Sequence, residues 1–162
     1  MLLAVRIILI LLITASVAHA FTQSSLPKEA SSIESSKVGD IVAEIIPPET
    51  PPGAYVQKNI RKLAHFTEFA SIGLFISLYT VLFMLGRRWA HISLLPVGVG
   101  IALIDETIQI FSNRGPSVAD VWIDSFGYLS AAVAVYAVFF AARLIWKGFF
   151  VGEKKETVGG DS

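Results

Sequence analysis

The chain has no cysteine among its 162 residues, which excludes disulfides and thiolate metal sites. It has no surplus of either charge, with 13 basic and 13 acidic residues. Nucleic acid is therefore not an expected partner, because phosphate binding needs a basic excess on one face. No serine elbow, phosphate-cradling glycine loop or zinc-protease signature is present. Polar composition is also scarce: 54% of the residues are hydrophobic and mean hydropathy is +0.64. That places a chain of single-domain length outside the soluble class and makes it a membrane protein.

The apolar residues fall into runs. Leu2 to Ala18 is interrupted only by Arg6, Thr14 and Ser16, and ends in Ala18-His19-Ala20. Two readings stand side by side: a retained first span, or a signal peptide cleaved at the small-residue site. Leu63 to Leu85, Ile92 to Phe111 and Ile123 to Phe140 are three further spans. The fold class expected is an all-α integral membrane protein, a bundle of four transmembrane helices with a polar cluster at the extracytoplasmic helix ends. Residues 1–20 would be the first helix or signal-anchor, and 21–60 an extracytoplasmic Ser- and Pro-rich loop. Residues 61–147 would be a three-helix membrane core, and 148–162 a disordered cytoplasmic tail. Within the loop, Val38 to Ile46 suits either a short amphipathic helix on the membrane surface or a single apolar patch in a mobile polar loop. Arg6, Arg87, Arg88, Arg143 and Lys147 favour an N-in, C-in arrangement by the positive-inside rule. Oligomeric state is left open.

Against this apolar background the polar residues converge. Arg61, Lys62, His65 and Glu68 open the second span, while Asp105, Glu106 and Gln109 close the third. Asn113-Arg114-Gly115-Pro116 has the chemistry of a turn, and Asp120 and Asp124 open the fourth span. Helical spacing puts Arg61, His65, Glu68 and Ile72 on one face. It does the same for Ala102, Asp105, Glu106 and Gln109, and for Asp120, Asp124, Gly127 and Ala131. Three such faces at one depth predict a single pocket. Several members also have plain structural explanations. Ser117-x-x-Asp120 fits a capping box, Lys62 fits an interfacial anchor, and a lone His-x-x-Glu is a weak metal signal. Asp105, Glu106 and Asp124 are the hardest to dismiss, because carboxylates at that depth are costly unless paired, hydrated or used.

The same residues carry a resemblance. Arg61-Lys62-Leu63-Ala64-His65-Phe66-Thr67-Glu68-Phe69, then Asp105-Glu106-Thr107-Ile108-Gln109, then Arg114 to Asp120 and Asp124-Ser125-Phe126-Gly127 resemble the VanZ-like family. Phe21-Thr22-Gln23-Ser24-Ser25 resembles the start of the family's outer loop. The resemblance covers roughly residues 21–140 and favours retention of the first helix. The motif positions it transfers are Lys62, His65, Glu68, Asp105, Glu106, Gln109, Arg114, Asp120, Asp124 and Gly127. It implies a small four-helix membrane protein related to one that confers low-level teicoplanin resistance, without implying a molecular activity.

Three functions are compatible with this set. The first is a module binding an envelope lipid, a cell-wall lipid intermediate or a glycopeptide, with Arg61, Lys62, Gln109, Arg114 and Asp120 as ligand-binding residues. The second is a membrane enzyme using His65, Glu68, Asp105, Glu106 and Asp124 as acids, bases or ligands of a divalent ion; the sequence names no cofactor. The third, an ion pathway, is disfavoured because Leu74 to Leu85 and Leu94 to Ile104 continue no polar route across the membrane.

Overall fold

The computed structural model describes residues 1–115 and 117–156, with side chains through 147. It contains α1 (Leu2–Ser24), α2 (Lys28–Ile45), α3 (Pro51–Phe83), α4 (Arg88–Ile92), α5 (Leu94–Phe111) and α6 (Val118–Glu156). Four of these, α1, α3, α5 and α6, are long and apolar enough to cross a membrane. The all-helical, four-span architecture expected from the apolar runs is the one observed.

Helix boundaries differ from the apolar runs because backbone bonding does not stop where apolar side chains stop. α1 continues through the polar Phe21-Thr22-Gln23-Ser24 and ends before Pro27, which has no amide to donate and disfavours helix in the residue before it. Most of the segment expected as a loop is helical. α2 occupies Lys28–Ile45, and the anticipated surface helix at Val38 to Ile46 is its C-terminal half. α3 starts at Pro51 because Thr50 caps it: the Thr50 hydroxyl accepts from Gly53 N at 3.1 Å, and Pro51 and Pro52 occupy positions where a missing amide costs nothing. At about 1.5 Å per residue, α3 is roughly 50 Å long, well beyond a hydrocarbon core of about 30 Å. α2 packs on the first turns of α3, where Gln57 Nε2 donates to Gly39 O at 2.7 Å. At the far end, α6 continues through Glu156. The rest of the expected tail, 157–162, lies outside the described residues, as does Pro116 of the turn.

The bundle is closed by backbone contact between α3 and α6. A Cβ at Gly73 would meet Tyr128 O at 2.2 Å, and one at Gly127 would meet Phe66 O at 2.3 Å. Only glycine permits this approach, the small-residue packing that membrane helices use where lipid supplies no hydrophobic drive. Tyr128 fills the centre, and with Ala20, Phe69, Ile72 and Ala102 forms a buried cluster to which all four spanning helices contribute. Most remaining large apolar side chains are exposed, as a lipid-facing surface requires. At the α1 N-terminal end, Arg6 Nε donates to Tyr79 Oη at 3.1 Å and its guanidinium lies over the same ring. His91 of α4 bonds the Tyr136 hydroxyl of α6.

Candidate functional site

The opposite end of the bundle gathers the polar residues. The α5 face Ala102, Asp105, Glu106 and Gln109 is buried throughout, Asp105 and Gln109 completely. Gln109 organises it: Nε2 donates to Asp105 Oδ2 at 3.1 Å and to Glu106 Oε2 at 3.3 Å, while Oε1 accepts from Arg61 Nη2 at 3.2 Å. One amide thus bridges two carboxylates to a guanidinium.

The turn after α5 aims Arg114. Asn113 sits at φ 57°, a left-handed conformation that asparagine tolerates better than most residues. Its amide bonds Ile110 O at 3.3 Å, and the Arg114 amide bonds Gln109 O at 3.1 Å. This pair of bonds is the Schellman closure of a helix end. It folds Arg114 back over the bundle, where Nη1 donates to Gln23 O on α1 at 3.0 Å. Arg114 is buried and its Nε has no partner. Burial, then the neighbouring Arg61, lowers its pKa below the ordinary arginine value, while Asp105, Glu106 and Asp120 pull the other way. The guanidinium remains charged.

Ser24 is the main residue that the sequence left unassigned. It is fully buried at the end of α1 and its hydroxyl donates to Asp105 Oδ2 at 2.7 Å. Its carbonyl accepts from Ser112 Oγ at 2.6 Å. The available signal was the polar run Phe21 to Ser25, which reads as loop until the helix is seen to continue. The capping pattern at Ser117 is half realised. The Ser117 hydroxyl accepts from Asp120 N at 3.3 Å, but the Ser117 amide is taken by Glu106 Oε1 of α5 at 2.6 Å. Glu106 therefore ties α5 to the start of α6.

His65, Glu68 and Asp124 form the other half of the cluster. His65 Nδ1 lies 3.9 Å from Glu68 Oε2 and 3.8 Å from Asp124 Oδ1, too far for hydrogen bonds. His19 of α1 approaches Glu68 from the other side at 3.7 Å. Asp124 is fully buried, and neither of its oxygens has a hydrogen-bond partner. His65 Nδ1 and Asp105 Oδ1 are also buried without partners. One ligand atom each from His65, Asp105 and Asp124 lies within 4.8 Å of the others, so these three residues could hold a metal ion.

Among the described residues, two small cavities flank the carboxylates, with Arg61 and His65 on the walls of both. One, of about 160 Å³, is lined by Lys58, Asn59, Arg61, Lys62, His65 and Asp120. The other, of about 90 Å³, is roofed by Ser31, Glu34, Ser35 and Val38 of α2, with Glu68 and Arg114 also on its wall. Lys62 is exposed, whereas Arg61 and Asp120 are half-buried. The arginines bond neutral oxygens, of Gln109 and Gln23.

A protein-family model described as VanZ/LLP1 matches residues 2–141. No curated protein and no solved structure matches the chain.

Proposed function

The chain belongs to the VanZ/LLP1 family, and on that premise we propose that this multi-pass membrane protein binds the anionic headgroup of a cell-envelope lipid or lipid-linked glycan precursor. The observation that carries this reading is the composition of the larger cavity: Lys58, Arg61 and Lys62 converge on it, with Asp120 as its one acid. Basic side chains at a membrane interface, where water is sparse, make strong charge-assisted bonds to phosphate or carboxylate. The volume limits what enters. About 160 Å³ is below the roughly 300–1,000 Å³ of sites that enclose a drug-sized ligand. It suits a headgroup whose acyl chains stay among the helices, and not a whole glycopeptide. A resistance phenotype against teicoplanin would then arise indirectly, through the envelope ligand held here.

The orientation proposed with it is N-in and C-in in a bacterial cytoplasmic membrane, so the cluster faces outward. Arg6, Arg87, Arg88, Arg143 and Lys147 support it. Purified protein in nanodiscs containing an anionic phospholipid tests the binding, with retained lipid read by native mass spectrometry. Each lost charge-assisted bond costs about 1.5–3 kcal/mol, so Lys62→Gln and Arg61→Gln should weaken retention about 10- to 100-fold. Retention unchanged in both variants would sink the reading.

One observation favours a second, enzymatic reading. The His65 ring nitrogen without a partner lies between Glu68 and Asp124, as a general base would before substrate tightens its contacts. It predicts that His65→Gln abolishes turnover of a lipid-linked pyrophosphate while leaving its binding intact.

A further inference from the structure

We infer that His65, Asp105 and Asp124 form a binding site for one divalent first-row transition-metal ion. The inference goes beyond headgroup binding and stands without it. The three residues come from α3, α5 and α6, and are all buried. A group from each lies within 4.8 Å of the others, and the His65 Nδ1 to Asp124 Oδ1 separation is 3.8 Å. Donors about 2.0–2.2 Å from a common ion stand roughly 3–4 Å apart, so modest closure satisfies the geometry.

Convergence alone would be only a cluster of acids. The deciding observation is where hydrogen bonding fails. Both Asp124 oxygens, Asp105 Oδ1 and His65 Nδ1 are buried and have no partner. Nearly all buried polar groups in native proteins are satisfied, so four such atoms on three converging residues point to a missing ligand. A fully buried carboxylate without donors is costly, and a cation removes that cost. Among the described residues, the basic group that approaches Asp124 within 4 Å is His65; the nearby arginines bond elsewhere.

The surroundings fit as well. Ligating carboxylates are normally fixed by hydrogen bonds to the oxygen that does not bind metal. Asp105 has this arrangement: Oδ2 receives Ser24 and Gln109, and Oδ1 is left free. One imidazole with two carboxylates selects ions such as Mn²⁺, Fe²⁺ or Zn²⁺ over Mg²⁺ and Ca²⁺, which prefer all-oxygen sites. Two carboxylates also balance the ion's charge. Three protein ligands leave a coordination position open, and His65 lies on the wall of both cavities.

The test uses the full chain in nanodiscs, stripped with chelator, incubated separately with Zn²⁺ and Mn²⁺, freed of excess ion and analysed for metal. Wild type should retain about one ion per chain, and Asp124→Asn and His65→Gln should retain almost none, as loss of a ligand requires. Asp40→Asn, which removes an exposed acid of α2 outside the trio and both cavities, should bind like wild type. Asp124→Asn removes a buried acid that has no hydrogen-bond partner, so its ion-free form should be at least as heat-stable as wild type. The ion should then raise the unfolding midpoint of wild type but not that of Asp124→Asn or His65→Gln. X-ray absorption of the loaded wild type should give a nitrogen/oxygen shell with imidazole scattering. No stoichiometric metal in wild type, equal loading of Asp124→Asn, or a shell without imidazole would each overturn the assignment. Lipid retention by the stripped wild type is read separately, so failure here does not count against headgroup binding.

Discussion

Replacing Ser24 by alanine isolates the tie between α1 and the polar cluster. The change removes one oxygen and alters almost nothing else, because Ser24 is fully buried and its backbone carbonyl still receives Ser112. What disappears is the 2.7 Å bond to Asp105 Oδ2, an oxygen then left with Gln109 as its remaining donor at 3.1 Å. A hydrogen bond to an ionised group contributes about 1.5–3 kcal/mol. Interhelical bonds measured within membranes average only about 0.6 and reach about 1.7 kcal/mol, since the separated helices find other partners. The charged acceptor and complete burial put Ser24 near the upper end of that range, so Ser24→Ala should cost about 1.5 kcal/mol. Reversible unfolding in mixed micelles with increasing denaturing detergent measures it. The acceptor's charge supplies the internal control. In an Asp105→Asn background the bond is neutral and about half as strong, so the same truncation should cost about half as much. An equal cost in both backgrounds would refute the reasoning, because Ser24 would then stabilise through something other than the carboxylate.

Three further predictions concern geometry. Gly127→Ala would put a methyl group 2.3 Å from the Phe66 carbonyl oxygen, a backbone atom that cannot turn aside. It should cost about 1–3 kcal/mol as overpacking, whereas Gly86→Ala, with nothing within 4 Å, should stay within about 0.5 kcal/mol of wild type; paired thermal unfolding compares them. Asn113→Val forces a branched side chain into a left-handed conformation and should cost about 1–3 kcal/mol. Asn113→Gly should be neutral or slightly stabilising, and the same unfolding assay separates the two. Because the chain has no cysteine, single cysteines at Lys62 and Arg87 report sidedness cleanly. An impermeant maleimide added to intact cells should label the first and spare the second; the reverse pattern would invert the proposed orientation.

The spans were legible because a membrane helix must show an apolar run of sufficient length, and four runs did so. The buried α5 face could be read from spacing alone, since Ala102, Asp105, Glu106 and Gln109 recur at the helical period. Ser24 could not. Ala18-His19-Ala20 looks like an ending, and nothing in Phe21 to Ser25 signals that backbone bonds carry the helix another turn toward Asp105. At Ser117 the local pattern was sound, yet a distant glutamate took the amide that a local acid takes in a complete capping box. Spacing within one helix cannot report such competition. The direction of Arg114 depends on one backbone angle at Asn113, a quantity that turn-prone composition suggests without determining. For the same reason the arginines' actual partners, one amide oxygen and one carbonyl, were out of reach.

The bond from Ser24 to Asp105 also orders events in time. Ser24 precedes Asp105 by 81 residues, and translation adds about 5–20 residues per second, so the hydroxyl is made roughly 4–16 s before the carboxylate it will hold. α1 is thus a donor present in advance of the acids on α5 and α6. The most costly side chains of the chain enter last, beside a helix end that already offers a Ser24 hydroxyl to one of them and a Gln23 carbonyl to the arginine that follows. A chain begun after Ser24 would insert the same acids with that partner missing. Co-expression of α1 as a separate peptide should then restore accumulation of the truncated chain, and a Ser24→Ala peptide should restore it less well.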